Sequence, residues 1–302
     1  MNRQQNTGFI GLGSMGEGMA LNLARKDFSL VLFDTRPNQY QRFEEFGSIK
    51  ASSSGEVMRQ ASIVLTVLPG PREVTEVILG SGGLLEHASP GDVIIDLSTV
   101  LPDTSDRLSE ACHAKGVSFV DAPIGRLSQH AWEGTSMFMI GAEENDLTRV
   151  SPLLEAMGTT LIHCGGPGSG TRTKLCNNFL AIGACMLNAE FIALTQGFGL
   201  DLVNTLEVIH GTTATNGQLK INYTSKVFKG DTEPGFEIDL AHKDFSLILE
   251  SASAMEIPLP VGASIRESIS AAKADGWGKK DFSGLADYWC ERAHVEKARM
   301  DG

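Results

Sequence analysis

The chain has 302 residues, room for two domains, with 42% hydrophobic and 21% charged side chains, the balance of an ordinary soluble protein. A formal net charge of -12 argues against nucleic acid and against an anionic membrane surface as partners, while leaving room for a local basic pocket. Five scattered cysteines (Cys112, Cys164, Cys176, Cys185, Cys290), odd in number and without a CxxC pair, read as reduced thiols rather than a metal site.

The polar start MNRQQNT runs directly into an apolar segment, so no secretory leader is expected and the protein is placed in the cytoplasm. Phe9 and Ile10 open a predicted strand that meets Gly11-Leu12-Gly13-Ser14-Met15-Gly16. A helical pattern follows, then a second strand (Leu30, Val31, Leu32, Phe33) ending on Asp34, 18 residues after Gly16. A strand, a glycine turn, a helix and a strand with an acid at its tip together suit a dinucleotide. Gly11 makes the tight turn, Gly13 leaves space for the pyrophosphate, and Gly16 lets the helix pack close to the strand. The helix N-terminus offers N–H groups and a positive dipole end to the phosphates. Asp34 accepts from a ribose diol and repels a 2′-phosphate, which favours NAD (as NADH) over NADP, with Arg36 as the residue that could instead pair with a phosphate.

Strand-like runs recur at 62–67, 93–96 and 118–121, with shorter ones at 135–140 and 160–164, and a helical stretch at 108–115. Alternating strands and helices predict an α/β doubly wound, mostly parallel sheet. The strand tips carry Leu68-Pro69-Gly70, Asp96-Leu97-Ser98-Thr99 and Asp121-Ala122-Pro123. Carboxyl ends of strands line the ligand crevice in such a sheet, so Leu68, Pro69 and Thr99 are expected beside the cofactor. Any one of these segments reads equally well as plain turn chemistry.

After Gly170 the strand signals fade, and helical patterns run through 171–198, 201–210, 239–255 and 260–275. The glycine cluster Gly165-Gly166-Pro167-Gly168-Ser169-Gly170 marks the boundary. Residues 1–166 are expected to form a Rossmann domain, and 167–302 an all-α domain for substrate and oligomerisation that begins with a long interdomain helix. The apolar stretch 179–187 is too short for a membrane span and reads as a buried helix, and the polar tail 294–302 is expected to fray. Lys174 and Asn178 lie four apart and share a helix face, with Asn177 adjacent. A free lysine, with a pKa of about 10.4, is a poor acid–base catalyst near neutral pH. Desolvation, a nearby cation or the positive end of a helix would bring it into range. Composition alone favours a solvated surface lysine.

The segments GFIGLGSMG, VLP at 67–69, DLST at 96–99, DAP at 121–123, GxxxKLxNN at 170–178 and KD at 243–244 resemble, in order and over nearly the whole chain, the β-hydroxyacid dehydrogenase family. That family includes 3-hydroxyisobutyrate dehydrogenases, tartronate semialdehyde reductases and succinic semialdehyde or glyoxylate reductases. The resemblance implies an oxidoreductase acting on CH–OH groups, with Lys174 as general acid/base. It also implies substrate contacts from Asn178 and Asn177, Lys243 near cofactor and substrate, and a homodimer or homotetramer.

The family usually reads DAPVSGG, whereas this chain reads Asp121-Ala122-Pro123-Ile124-Gly125-Arg126-Leu127-Ser128. Arginine stands where a glycine turn would hold the substrate carboxylate. A guanidinium suits oxyanions, and with the Ser128 hydroxyl and the Gly125 turn it could hold a sulfonate. The GR-x-S turn, GGPGSGTRTKLCNN and the stretch from Lys226 to Asp244 are similar to the sulfolactaldehyde reductases of sulfoglycolysis, which reduce 3-sulfolactaldehyde with NADH. The rival readings are a reductase of succinic semialdehyde or glyoxylate, or a 3-hydroxyisobutyrate-type enzyme. A catalytically silent dinucleotide-binding module is disfavoured by the presence of Lys174. An imine reductase is disfavoured because those relatives generally carry another residue there.

Overall fold

A nine-stranded sheet and its helices build the first of two units, which divide between Lys174 and Leu175; the computed structural model describes residues 3–300. In chain order the elements are β1 (Asn6–Ile10), α1 (Gly16–Arg25), β2 (Ser29–Phe33), β3 (Ile49–Lys50), α2 (Ser54–Gln60), β4 (Ile63–Thr66), α3 (Pro71–Leu79) and α4 (Leu84–His87). Then come β5 (Val93–Asp96), α5 (Pro102–Ala114), β6 (Ser118–Asp121), β7 (Ile124–Gly125), α6 (Ser128–Glu133), β8 (Ser136–Gly141), α7 (Glu144–Met157) and β9 (Gly158–Gly165). The order across the sheet is β3-β2-β1-β4-β5-β6-β8-β7, with β9 on β8. Strands β3 to β6 run parallel, whereas β8 is antiparallel to both β6 and β7.

Alternate residues of the strands feed two cores. Phe9, Leu30, Leu32, Leu65, Ile95 and Val120 join one buried cluster, and Ile10, Val31, Val64, Ile94 and Phe119 join the other. This is the period-two pattern of strands covered on both faces. Burying each such side chain is worth roughly 1.5–3 kcal/mol relative to exposure. Pro71 and Pro102 start α3 and α5, where a missing N–H costs nothing, and Ser53 caps α2 by accepting from the Glu56 N–H at 3.2 Å.

The register sets the crevice. Ile10 pairs with Thr66, Thr66 with Asp96 and Asp96 with Asp121, so β1, β4, β5 and β6 end at one edge. The strand order reverses between β1 and β4, the switch point at which open α/β sheets bind ligands.

The second unit is helical. It contains most of α8 (Ser169–Gly197), then α9 (Leu202–His210), α10 (Ile238–Ala254), α11 (Pro260–Ala274) and α12 (Leu285–Ala293). A π-helical turn at Gln218–Tyr223 is anchored by the buried Tyr223 hydroxyl, which donates to the Cys185 carbonyl at 2.6 Å. Along α8, Ile182, Cys185, Met186, Ala189 and Ile192 are buried at helical spacing. Leu180, Leu187 and Leu194, seven apart, are 71%, 66% and 57% exposed. Length and composition alone would let α8 cross a bilayer, but its buried face belongs to the core of this unit.

The expectation that the tail frays is corrected as far as Met300. Both Arg299 Nη atoms donate to Asp287 of α12 at 2.7 Å, the Met300 N–H donates to the Phe228 carbonyl at 2.9 Å, and Ala298 is buried. A polar composition hides this fork, because its partner lies on another element.

Candidate active site

The three glycines of the first turn differ in what surrounds them. Gly11 has φ +93°, donates to the Phe33 carbonyl at 3.0 Å, and has the Val67 carbonyl only 2.1 Å from where a Cβ would stand. A Cβ on Gly16 would lie 1.9 Å from the Gly11 carbonyl. Both positions therefore need glycine for the fold itself. At Gly13 a Cβ would meet only Arg36 Nη2, at 3.9 Å, so the turn is open on that side. Met15, at the N-cap of α1, supplies no side-chain hydrogen bond to the helix end. Leu12 is buried, Ser14 exposed and Met15 half-buried.

Asp34 sits at the tip of β2, directly beside this turn. Its carboxylate accepts from the Leu12 N–H at 2.7 Å, the Arg36 N–H at 2.8 Å and Arg36 Nε at 3.0 Å. Burial alone would push its pKa up, but the bonds from Arg36 and Leu12 outweigh that and hold it below the ordinary carboxylate range. Arg36 Nη2 also donates to the Leu12 carbonyl at 2.9 Å, so the guanidinium is folded against the glycine turn. An open cradle at Gly13, an uncapped helix end and an ionised acid at the strand tip together fit a dinucleotide.

Asp96 fastens the next two strand tips together. Its Oδ1 accepts from Thr66 Oγ1 at 2.8 Å and from the Ser98 N–H at 3.1 Å, while Ser98 Oγ accepts from the Leu68 N–H at 2.9 Å. Burial pushes the Asp96 carboxyl up to about 6, against the bonds from Ser98 and Thr66, and neighbouring Asp121 adds to the rise. Leu68 and Thr99 are half-buried and Pro69 is exposed, along the edge set by the strand register.

Lys174 lies in the second turn of α8. Its Nζ donates to the Ile124 carbonyl at 2.7 Å, at the start of the turn that carries Gly125, Arg126 and Ser128. Gly125 is buried; Ser128 is half-buried and opens α6. Arg126 has φ +74°, the left-handed region in which glycine is at ease, so an arginine there carries backbone strain of order 1 kcal/mol. Its guanidinium is exposed. It donates to the Thr135 carbonyl and to the hydroxyls of Thr159 and Thr160, each of these at 3.2 Å.

In the second unit, two side chains of the expected site meet on Asp244, and a third, Asn177, joins through Asn178. Asn178 Nδ2 donates to Asp244 Oδ2 at 2.7 Å, and Lys243 Nζ pairs with Asp244 Oδ1 at 2.8 Å. Asn177 Nδ2 donates to Asn178 Oδ1 at 3.1 Å. Asn178 and Asp244 are buried, Lys243 is half-buried and Asn177 is exposed. The central place of Asp244 was missed in the sequence. Its only signal was a position next to lysine in the KD pair.

Two family profiles span the chain. One, described as the NAD binding domain of 6-phosphogluconate dehydrogenase, matches residues 6–166. The other, described as the NAD-binding region of NADP-dependent 3-hydroxyisobutyrate dehydrogenase, matches residues 168–289. The 3-sulfolactaldehyde reductase of Escherichia coli K12 is 37% identical over 279 residues, covering 92% of this chain and 94% of its own. The 2-(hydroxymethyl)glutarate dehydrogenase of Eubacterium barkeri is 31% identical over 290 residues, covering 96% of each. A Mycobacterium tuberculosis 3-hydroxyisobutyrate dehydrogenase solved with L-serine superposes with a TM-score of 0.85 at 27% identity, covering 94% of this chain and 99% of that one. An imine reductase from a Pseudomonas species shares the fold alone, with a TM-score of 0.61 at 15% identity.

Proposed function

The chain belongs to the β-hydroxyacid dehydrogenase family, and from that premise we propose that it reduces 3-sulfolactaldehyde to 2,3-dihydroxypropane-1-sulfonate with NADH. As a member of the family it is an oxidoreductase of CH–OH groups that works with a nicotinamide cofactor. The observation that carries the narrower reading is the turn after β6. Lys174 Nζ is tethered to Ile124, and two residues on, Arg126 stands in a glycine-type backbone.

When bound, the reduced cofactor supplies a hydride to the substrate carbonyl carbon. Gly11 to Gly16, Asp34, Leu68, Pro69 and Thr99 would hold it, with Lys243 assigned to the same task. Lys174 gives its proton to the carbonyl oxygen as negative charge develops there, and takes one back in the oxidative direction. Asn178, with Asn177, reads the resulting hydroxyl. Arg126 and Ser128 bind the sulfonate. To do so, Arg126 exchanges Thr135, Thr159 and Thr160 for sulfonate oxygens, which are better partners because the bonds become charge-assisted on both sides.

Asp34 favours NAD, and its pairing with Arg36 draws that cation away from a 2′-phosphate. The exposed leucine row of α8 supports a homo-oligomer in which a second copy covers Leu180, Leu187 and Leu194. A second reading, a carboxylate semialdehyde reductase acting on succinic semialdehyde or glyoxylate, is favoured by the hydrogen bonds that now hold Arg126. If Arg126 keeps them, the turn backbone alone would hold the anion.

Lys174→Ala tests the chemistry. The variant should bind NADH as the parent does in a fluorescence titration and lose at least about 100-fold in turnover. Near-full turnover would sink the assignment.

A further inference from the structure

We propose that Asp121 is a positioning residue for proton transfer: it fixes the start of the helix that carries Lys174 and sets the proton affinity of that lysine. The inference rests on Lys174 being the general acid.

Asp121 closes β6 and is fully buried. Its Oδ1 accepts from the Gly168 N–H at 2.5 Å and its Oδ2 from the Thr171 N–H at 2.6 Å. These are the N–H of the residue just before α8 and one of its first turn, where a helix leaves donors without internal partners. There is no slack around them. A Cβ on Gly170 would lie 2.2 Å from the Met139 carbonyl, and one on Gly141 would lie 2.3 Å from Asp121 Oδ1. Ser105 and Thr171 join hydroxyls at 2.9 Å on the same helix start. One turn further, Lys174 Nζ donates to Ile124, three residues beyond Asp121. The backbone of Lys174 and its ammonium group are therefore both fastened to the segment 121–124.

A helix start is a positive pole; its field weakens past the first turn, and what reaches a lysine in the second turn depresses that lysine's pKa. A carboxylate bonded to that pole cancels it. Burial pushes the pKa of Asp121 itself up, while the amide bonds from Thr171 and Gly168 work against the rise. Other charged groups around the helix start are Asp96 of β5, Arg172 of α8 paired with Asp106 of α5 at 2.7 Å, and Glu143 beside Gly166. The variants below leave all of them unchanged.

The test is the pH profile of kcat. Removing the negative charge lowers the pKa of Lys174, so the limb governed by that lysine moves to lower pH. For reduction this is the alkaline limb, where the acid is lost; for oxidation it is the acidic limb, where the base is gained. For separations of order 10 Å, an effective dielectric of about 20 makes one unit charge worth roughly one pH unit. Asp121→Asn should show that shift, and so should Asp121→Ser, the uncharged replacement to use if the amide is poorly recovered. Asp121→Glu should lower kcat with the limb in place, and Ser105→Ala should leave the limb where it is. A limb in Asp121→Asn or Asp121→Ser that coincides with the parent's would overturn the proposal, whatever the fall in rate. Failure of the underlying chemistry would show separately, as an active Lys174→Ala variant.

Discussion

Arg126 holds a left-handed backbone at a position the family fills with glycine, so deleting its side chain relieves strain while removing a charge. Arg126→Gly should therefore keep Tm within about 2 °C, since exposed hydrogen bonds contribute little and the strain gain offsets them. The same variant should raise KM for a sulfonate aldehyde tenfold or more and that for an uncharged aldehyde less than threefold; equal effects would remove Arg126 from the anion site. Asp96 gives a prediction in stability. Its folded pKa of about 6 lies above the unfolded value of about 3.9, so its stabilising contribution is full below about pH 4 and is lost as pH rises through about 6. Asp96→Asn removes that dependence. Its Tm relative to the parent should be more favourable at pH 8 than at pH 5, and a pH-independent difference would contradict the burial argument. Asp34 and Lys174 were legible in the sequence because each sits at a fixed offset inside a motif. The fastening roles of Asp96, Asp121 and Asp244 were not, because each depends on which element folds against it.

Among the elements, the glycine turn shows how one motif divides into scaffold and site. Gly16→Ala places a methyl within 1.9 Å of the Gly11 carbonyl and should cost several kcal/mol or prevent folding. The Cβ of Gly13→Val meets only Arg36 Nη2, at 3.9 Å, so the variant should fold with a parental melting curve and lose NADH affinity by tenfold or more. If Gly13→Val bound NADH normally, the cradle would lie elsewhere. The parallel core strands were readable from apolar runs bounded by turn residues, and the two long helices α10 and α11 fell within one residue of their expected ends. Shorter pieces were not readable: β3 and β7 have two residues each, and the reversed direction of β8 leaves no mark on its own residues. Helix α12 went unannounced because it is short and its buried residues, Leu285, Ala286, Asp287, Tyr288 and Cys290, include a carboxylate that only its partner Arg299 makes tolerable, so they draw no apolar stripe in the sequence.

For the whole molecule, a sheet-bearing unit ending at Lys174 is followed by a helical one, while the two family profiles change over between residues 166 and 168, inside the glycine cluster. The exposed leucine row of α8 makes a prediction about assembly: Leu187→Glu combined with Leu194→Glu should lower the mass measured by sedimentation. An unchanged mass would place any subunit contact elsewhere. Such a row was invisible in the sequence because α8 is apolar on every face, and only the fold tells its covered face from its open one. The central claim concerns substrate choice and is tested most directly by NADH oxidation against 3-sulfolactaldehyde, succinic semialdehyde, glyoxylate and methylmalonate semialdehyde. The account predicts a kcat/KM for the sulfonate at least tenfold above any carboxylate in the panel. A preference for a carboxylate would leave the fold and the family in place and contradict the role assigned to the Gly125-Arg126 turn.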